Sequence, residues 1–305
     1  MQTILGSGGD IGTLLAKELK NYTSRIRLVS RNPKKVNETD ELFPADITKR
    51  DDVYKAVEGS EVVYLTVGFQ YNIKIWRKNW PVTMQNVIDA CLHHNAKLVF
   101  FDNVYMYSKD AVHHMTEDSP IDPPSKKGAV REQIFRMLMN AMEQKGLKAL
   151  VARSADFYGP NSKNGVLTIC AIDNFKKGKK AFWQSDARKI HSMTFTPDAA
   201  KGTALLGNTE DAYGQVWHLP TSAEKLTGKE IIEITANAMN VAPRFYILTN
   251  FMIRIIGMFS PLVRELVEMQ YQNDRDYFFD SSKFEKRFGI KATTYKEGIR
   301  QSVSG

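Results

Sequence analysis

Cysteine is almost missing from this chain: Cys91 and Cys170 are its only two, far apart and in helix-like stretches. There is no Cys-x-x-Cys pair and no ladder of spacings, which excludes a disulfide scaffold and makes a reducing compartment the expectation. Histidine is equally poor in pattern. The six fall as His93-His94, His113-His114, His191 and His218. Adjacent histidines diverge on a helix and no zinc-ligand spacing occurs, so no metal site is expected. A signal-peptide pattern is also lacking, because Met1 leads almost directly into a strand and a glycine loop, and the expected location is cytoplasmic.

Long uncharged runs are lacking as well. The most apolar stretch, Tyr246–Val267, is interrupted by Asn250, Arg254, Pro261 and Arg264, so nothing reaches the roughly 18 residues that span a bilayer. It is expected as a helix packed in a second lobe, with weak peripheral membrane contact as the other reading. Negative charge is short of positive: 42 Lys and Arg face 34 Asp and Glu, a formal net charge of +8. The basic residues read as scattered, with no basic stripe interleaved with aromatics. No nucleic-acid partner is therefore expected, and the excess suits anionic small molecules.

What is present is an alternation. With 43% hydrophobic and 25% charged residues, the 305-residue chain has the makings of a large core. Short apolar segments at Gln2–Leu5, Arg25–Val29, Glu61–Val67, Lys97–Phe101 and Lys148–Arg153 predict strands. Helical patterns fill the gaps at Asp10–Asn21, Arg50–Val57, Ile75–His94 and Gly128–Lys145. In the last of these Val130, Ile134, Met137, Leu138 and Ala141 recur at helical spacing. This is the rhythm of a parallel sheet covered on both faces. After Arg153 it gives way to loops, short helices and scattered strands, among them Gln215–Leu219.

The first strand runs into Gly6-Ser7-Gly8-Gly9-Asp10-Ile11-Gly12 and then a helix. In that strand–turn–helix setting Gly6 allows the tight turn, Gly9 lets amides approach a pyrophosphate, and Gly12 lets helix and strand pack closely. The helix N-terminus then faces the phosphates. The fold expected is a doubly wound α/β Rossmann sheet with a smaller C-terminal α/β substrate lobe. Residues 1–155 form the dinucleotide domain, with 189–219 returning to it, and 156–188 and 220–305 form the lobe. The second strand ends at Ser30-Arg31 in place of the carboxylate that usually accepts the ribose hydroxyls of NAD. Arg31 suits a 2′-phosphate, so NADP is expected as the cofactor, with NAD as the alternative.

Further segments carry a resemblance. Gly6-x-x-Gly9-x-x-Gly12, Asp46-Ile47, Thr66-Val67-Gly68, Met106-Tyr107-Ser108, Phe157-Tyr158-Gly159-Pro160 and Asp280-x-x-Lys283 stand in order along nearly the whole chain. Together they resemble the extended and atypical short-chain dehydrogenase/reductases, the NAD-dependent epimerase/dehydratase group. The resemblance implies that Asp46 and Ile47 face the adenine and that Thr66, Val67 and Gly68 lie over the adenosine ribose. It also assigns Ser154 and Ala155 to the cofactor.

The chain departs from that group at its Tyr-x-x-x-Lys pair, where alignment puts Lys127 and Arg131; Asn103 takes the upstream Ser/Thr position. By the same resemblance Tyr105 falls where dehydratases carry a catalytic acid. It is the candidate proton donor, with Lys127 or Arg131 as a nearby cation and Arg131 also as a ribose ligand. Phe69, Tyr71, Trp76 and Trp80 would line one wall of the substrate cleft, although Trp76 and Trp80, at i and i+4, equally suit a buried helical face. Asp156 would hold a substrate hydroxyl or orient His191. The implied activity is an NADP(H)-dependent oxidoreductase of a small, partly apolar carbonyl or conjugated enone. A redox-silent NAD(P)-binding regulator and, more weakly, a nucleotide-sugar epimerase are the alternatives. A homodimer formed through the helices Ile75–His94 and Gly128–Lys145 is also implied.

Overall fold

The structure is a computed structural model and describes Met1–Ser304. Along the chain run β1 (Gln2–Leu5), α1 (Asp10–Leu19), β2 (Ile26–Ser30), β3 (Glu41–Pro44), α2 (Arg50–Val57), β4 (Val62–Leu65) and α3 (Ile73–His93). Next come β5 (Lys97–Asp102), α4 (Lys126–Lys145), β6 (Ala149–Arg153), β7 (Asp156–Tyr158), α5 (Asp173–Lys176), β8 (Ala181–Gln184) and β9 (Met193–Phe195). The remainder are α6 (Thr196–Gly207), β10 (Val216–His218), α7 (Gly228–Ala238), β11 (Phe245–Leu248), α8 (Asn250–Phe259), α9 (Pro261–Val267), α10 (Ser282–Phe288) and α11 (Tyr295–Ser304). Two compact units result. The first comprises Met1–Asn103, Ala129–Arg153 and Ala199–Trp217; the second comprises Val104–Gly128, Ser154–Asp198 and His218–Gly305. The sequence pattern instead places residues 104–128, 154–155, 189–198 and 218–219 with the dinucleotide domain.

The first unit is a Rossmann sheet in the order β10-β6-β5-β4-β1-β2-β3. The pairs from β6 through to β3 are parallel. Both faces of its inner strands are covered: β1, β4 and β6 are buried at every position, mostly by apolar side chains but with Gln2, Thr3 and Arg153 among them. β3 was not foreseen. It is a mostly exposed edge strand that ends in Pro44, so neither alternation nor an apolar run marks it. Two helices start earlier than expected because of their caps. Asn72 accepts the Lys74 and Ile75 N–H groups at the head of α3. At the head of α4, Glu268 accepts from Lys126 N–H at 2.9 Å and Ser125 Oγ from Gly128 N–H at 3.0 Å.

The second unit holds two parallel strand pairs, β7–β9 and β8–β11, over a separate core that includes Tyr158, Trp183, Phe195, Ile231, Tyr295 and Ile299. Here the single packed helix expected over Tyr246–Val267 is corrected. The stretch is the end of β11 followed by two helices, α8 and α9. Ser260 ends α8 and caps α9, and Pro261 opens α9 at a position where its missing N–H costs nothing. Arg264 donates back to the Gly257 and Met258 carbonyls at 3.0 Å each, closing the hairpin. A Cβ on Gly257 would meet the Arg264 backbone at 3.2 Å, so glycine is what lets α8 and α9 approach. Only Ile253 and Gly257 of α8 are buried, and most of its apolar side chains face outward. The positive charge is also less scattered than it reads. Lys176, Lys177, Lys179 and Lys180 are all exposed around the turn into β8, and exposed Arg244 pairs there through its carbonyl with Ala181 N–H at 2.9 Å.

Candidate functional site

The glycine loop leaves the C-terminal end of β1, the strand flanked by β2 and β4. Gly6 and Ser7 donate to the Val29 carbonyl at 2.9 and 3.2 Å, which ties the loop to β2. Gly6 has φ +102°, and a Cβ there would lie 2.6 Å from the Val67 backbone; on Gly12 it would lie 2.6 Å from the Gly6 carbonyl oxygen. Both positions therefore demand glycine, whereas a Cβ on Gly8 meets nothing within 4 Å. Gly9 is the N-cap of α1 and makes no side-chain capping bond. The Ser7 hydroxyl is buried without a hydrogen-bond partner. A turn with no room for a Cβ at Gly6 or Gly12, a helix head without a side-chain cap from its N-cap residue and an orphaned hydroxyl fit a phosphate-bearing ligand.

The other cofactor candidates of this unit stand at the ends of neighbouring strands: Ser30 ends β2 and Arg31 follows it, Asp46-Ile47 come after β3 and Thr66-Val67-Gly68 after β4. Arg31 is exposed. Asp46 Oδ1 accepts from the Thr48 hydroxyl at 2.7 Å and the Thr48 N–H at 3.0 Å. These bonds, the hydroxyl first, hold its carboxyl below the usual range, and Arg31 adds to the effect. Ser154 and Ala155 belong to the second unit, where Ala155 N–H donates to Thr194 Oγ1 at 3.1 Å.

The residues at the departed Tyr-x-x-x-Lys positions are both buried, each in an ion cluster. Arg131 turns Nε and Nη2 onto Asp102 Oδ1, with Nε at 2.9 Å, while Arg153 Nη2 reaches Asp102 Oδ2 at 3.2 Å. Two guanidiniums thus share one carboxylate. Aromatic faces take up the excess charge: Trp80 and Phe100 lie 4.3 and 5.0 Å from the Arg131 guanidinium, and Phe135 lies 5.1 Å from that of Arg153. Lys127, fully buried, places Nζ 2.5 Å from Glu265 and 2.9 Å from Glu268 and donates to the Glu265 carbonyl at 3.0 Å. Its charge latches α9 and the following turn to the head of α4. The ribose ligand and the anion-stabilising cation suggested by the resemblance are thus both engaged with carboxylates. Asn103, half-buried, donates its N–H to Asp102 at 2.8 Å.

Trp76 and Trp80 are buried, stacked edge to face 6.1 Å apart, and Trp80 meets Phe100 at 6.4 Å. Both lie in the interior of the first unit, and of the four proposed wall residues Phe69 and Tyr71 are the half-exposed ones.

The second unit gathers polar side chains that lie far apart in sequence. His191 Nε2 and Asp156 Oδ2 are 2.9 Å apart, and the His191 ring stacks on Tyr277 at 4.5 Å. Half-buried Tyr105 is held close to the head of α4, because a Cβ on Gly128 would lie 2.3 Å from the Tyr105 carbonyl oxygen. Tyr271, beside Ser125, and Tyr277 both lie within electrostatic range of Tyr105 and Asp156. Burial above all pushes both phenols up, so they remain protonated donors. Neither hydroxyl makes a well-formed hydrogen bond, and the Gln270 and Gln272 amide nitrogens are buried without partners. These four residues were missed in the sequence. The one signal, a Gln-Tyr-Gln run directly after the apolar stretch, has no periodicity that would assign it to a site.

Tyr107 has a structural place. Its hydroxyl lies 2.7 Å from His218 Nε2, and His218 Nδ1 lies 2.7 Å from the Asp280 carbonyl. Because a carbonyl only accepts, Nδ1 carries the proton and Nε2 accepts from the phenol. The cysteines are not nucleophiles: burial pushes the Cys170 thiol up to about 12 and that of Cys91 further.

Glu117, half-buried, accepts the His218 N–H at 2.9 Å, and desolvation holds its carboxyl above its ordinary value of 4.5. A carboxyl raised on folding contributes stability below its unfolded pKa that is lost as pH rises through the folded value. Glu117→Gln keeps an acceptor and removes the charge. Its Tm should therefore exceed wild type by roughly 1–4 °C at alkaline pH and match it in acid well below that ordinary value. Thermal unfolding at the two pH values checks this, and an equal gap at both would contradict it.

No curated protein sequence matches the chain. Solved structures do. The dTDP-glucose 4,6-dehydratase of Streptomyces venezuelae, solved with NAD, superposes with a TM-score of 0.82 at 14% identity, covering 100% of this chain and 96% of that one. The UDP-glucose 4-epimerase of Thermus thermophilus, in complex with NAD, gives 0.78 at 17% identity, covering 100% and 98%. The UDP-N-acetylglucosamine 4-epimerase of Bacillus cereus gives 0.78 at 17%, covering 100% and 96%. At these identities the likeness is one of fold. The sequence match is more specific: a model of the NAD dependent epimerase/dehydratase family aligns with residues 3–218, over two thirds of the chain, and the protein belongs to that family.

Proposed function

We propose that the protein is an NADP(H)-dependent oxidoreductase of a small, partly apolar carbonyl or conjugated enone, with Tyr105 as proton donor. The observation that carries the cofactor half is the glycine cradle, in which Gly6 and Gly12 leave no space for a Cβ and the buried Ser7 hydroxyl lacks a partner. Gly6–Gly12 would hold the pyrophosphate, Thr66–Gly68 and Asp46 the adenosine, and Arg31 a 2′-phosphate. When bound, such a dinucleotide supplies the reducing equivalent. The chain's own part is to orient it and to deliver a proton from the Tyr105 phenol to the substrate oxygen. In the first unit half-exposed Phe69 and Tyr71 offer apolar surface, and within the second unit Asp156 and His191 form a polar pair.

Cofactor titration tests this reading. A charge-assisted contact of about 1.5–3 kcal/mol corresponds to roughly ten- to hundredfold, so NADPH should bind at least several-fold tighter than NADH. Arg31→Ala should erase most of that gap. Equal affinities in the wild type would overturn the NADP assignment, and failure to bind either form would overturn the dinucleotide site.

One observation favours a second reading, a redox-silent dinucleotide-binding regulator: the residues at the Tyr-x-x-x-Lys positions are both committed to buried ion pairs. A broad carbonyl and enone screen separates the two. Oxidation of bound NADPH by any member supports the enzyme, and its absence across the screen supports the regulator.

A further inference from the structure

The α8–α9 hairpin turns large apolar side chains into solvent. Phe251 is 72% exposed, Met258 62%, Phe259 83% and Leu262 62%. An exposed apolar face of this kind marks an interaction surface. Its charge is one-sided, because from Asn250 to Arg264 the ionisable side chains are Arg254 and Arg264. The nearest acids along the chain, Glu265 and Glu268, are turned onto Lys127.

The same two-stranded sheet that launches the hairpin begins at a basic cluster. β8 and β11 run parallel from Ala181 and Phe245 to Gln184 and Leu248. Their starts carry exposed Lys176, Lys177, Lys179, Lys180 and Arg244, with exposed Asp173 as the neighbouring acid on α5. Thr249 caps α8 directly after β11 ends. Four strand residues, about 13 Å, thus separate the cations from the start of the apolar helix.

We propose that this part of the second unit docks on an anionic phospholipid surface, the hairpin tips entering the headgroup–acyl boundary while the lysine cluster meets lipid phosphates. Interfacial helices combine these features, aromatic and aliphatic tips with flanking Lys and Arg. The hairpin offers seven exposed large apolar side chains, whereas a stable dimer interface uses about 20–30 residues a side. A second copy therefore fits the face less well. No helix among the described residues is long and apolar enough to cross a membrane, so the contact is peripheral.

Co-sedimentation of the full chain with phosphatidylcholine vesicles, with and without phosphatidylglycerol, tests the proposal. Binding is expected on the anionic vesicles and should weaken steeply with salt. Each lysine near such a surface is worth about fivefold, so Lys179→Ala/Lys180→Ala should bind roughly 20–30-fold less well. Phe251→Asp/Phe259→Asp should abolish binding, and since both rings are exposed its thermal unfolding should match wild type. No partition onto anionic vesicles at low salt would overturn the proposal. So would a dimer mass that this double variant reduces to one chain, because the occupant would then be a second copy.

Discussion

Asp102→Ala is expected to cost about 3–5 kcal/mol of stability, because it leaves two buried guanidiniums without their carboxylate. Arg131 and Arg153 are 3% and 1% exposed, so water cannot take over the role of Asp102. Asp102 ends β5, and its partners come from α4 and β6, so the cluster ties three neighbouring elements of the first unit together. The Trp80, Phe100 and Phe135 faces soften the charge but accept no hydrogen bonds. Urea unfolding followed by circular dichroism checks the loss, which should appear as a lower midpoint at unchanged slope. A midpoint equal to wild type would mean that the ion cluster contributes nothing net. Arg131→Met with Asp102→Leu, which removes the carboxylate and one guanidinium together, should be milder than Asp102→Ala alone if the unpaired charge is the cause.

The second large effect concerns chemistry. Losing a positioned acid typically lowers turnover by about 10²–10⁴. Tyr105→Phe should therefore fall by that order on a confirmed carbonyl substrate while its NADPH affinity stays near wild type. The ring is retained, and the backbone at this position is set by the close approach of Gly128 to the Tyr105 carbonyl, so the local geometry should survive. Tyr271 and Tyr277 supply a control. They are buried phenols near Tyr105, and Tyr271→Phe should lower turnover less than Tyr105→Phe if Tyr105 is the donor. Wild-type turnover in Tyr105→Phe would remove the proton-donor assignment and leave cofactor binding untouched.

The parts legible in the sequence were those governed by neighbours in the chain. Strands β4, β5 and β6 announce themselves because burial on both faces demands a short apolar core such as Val62–Leu65, and β1 is marked by Ile4-Leu5 running into the glycine turn. Gly6 and Gly12 are legible because a tight turn from strand into helix admits few residues, and the clashes a Cβ would make there are with the loop itself and the adjacent strand end. β3 was not legible, since an exposed four-residue edge strand needs neither pattern. The apolar run after Tyr246 was visible, yet hydrophobicity alone does not say whether a side chain faces a core or water.

Composition, periodicity and the glycine spacing by themselves determined a Rossmann sheet with a glycine-rich turn after its first strand, because burial on both faces and a tight turn restrict which residue types each short segment can hold. Only the tertiary structure decided which charged and polar residues meet. Lys127 meets Glu265 from 138 positions away in the chain and Glu268 from 141, and His191 meets Asp156 from 35. Nothing in the local pattern around Lys127 reveals these partners. The pairing is made by which carboxylates the fold brings within about 3 Å of a buried charge, where an ion pair replaces the water it has lost.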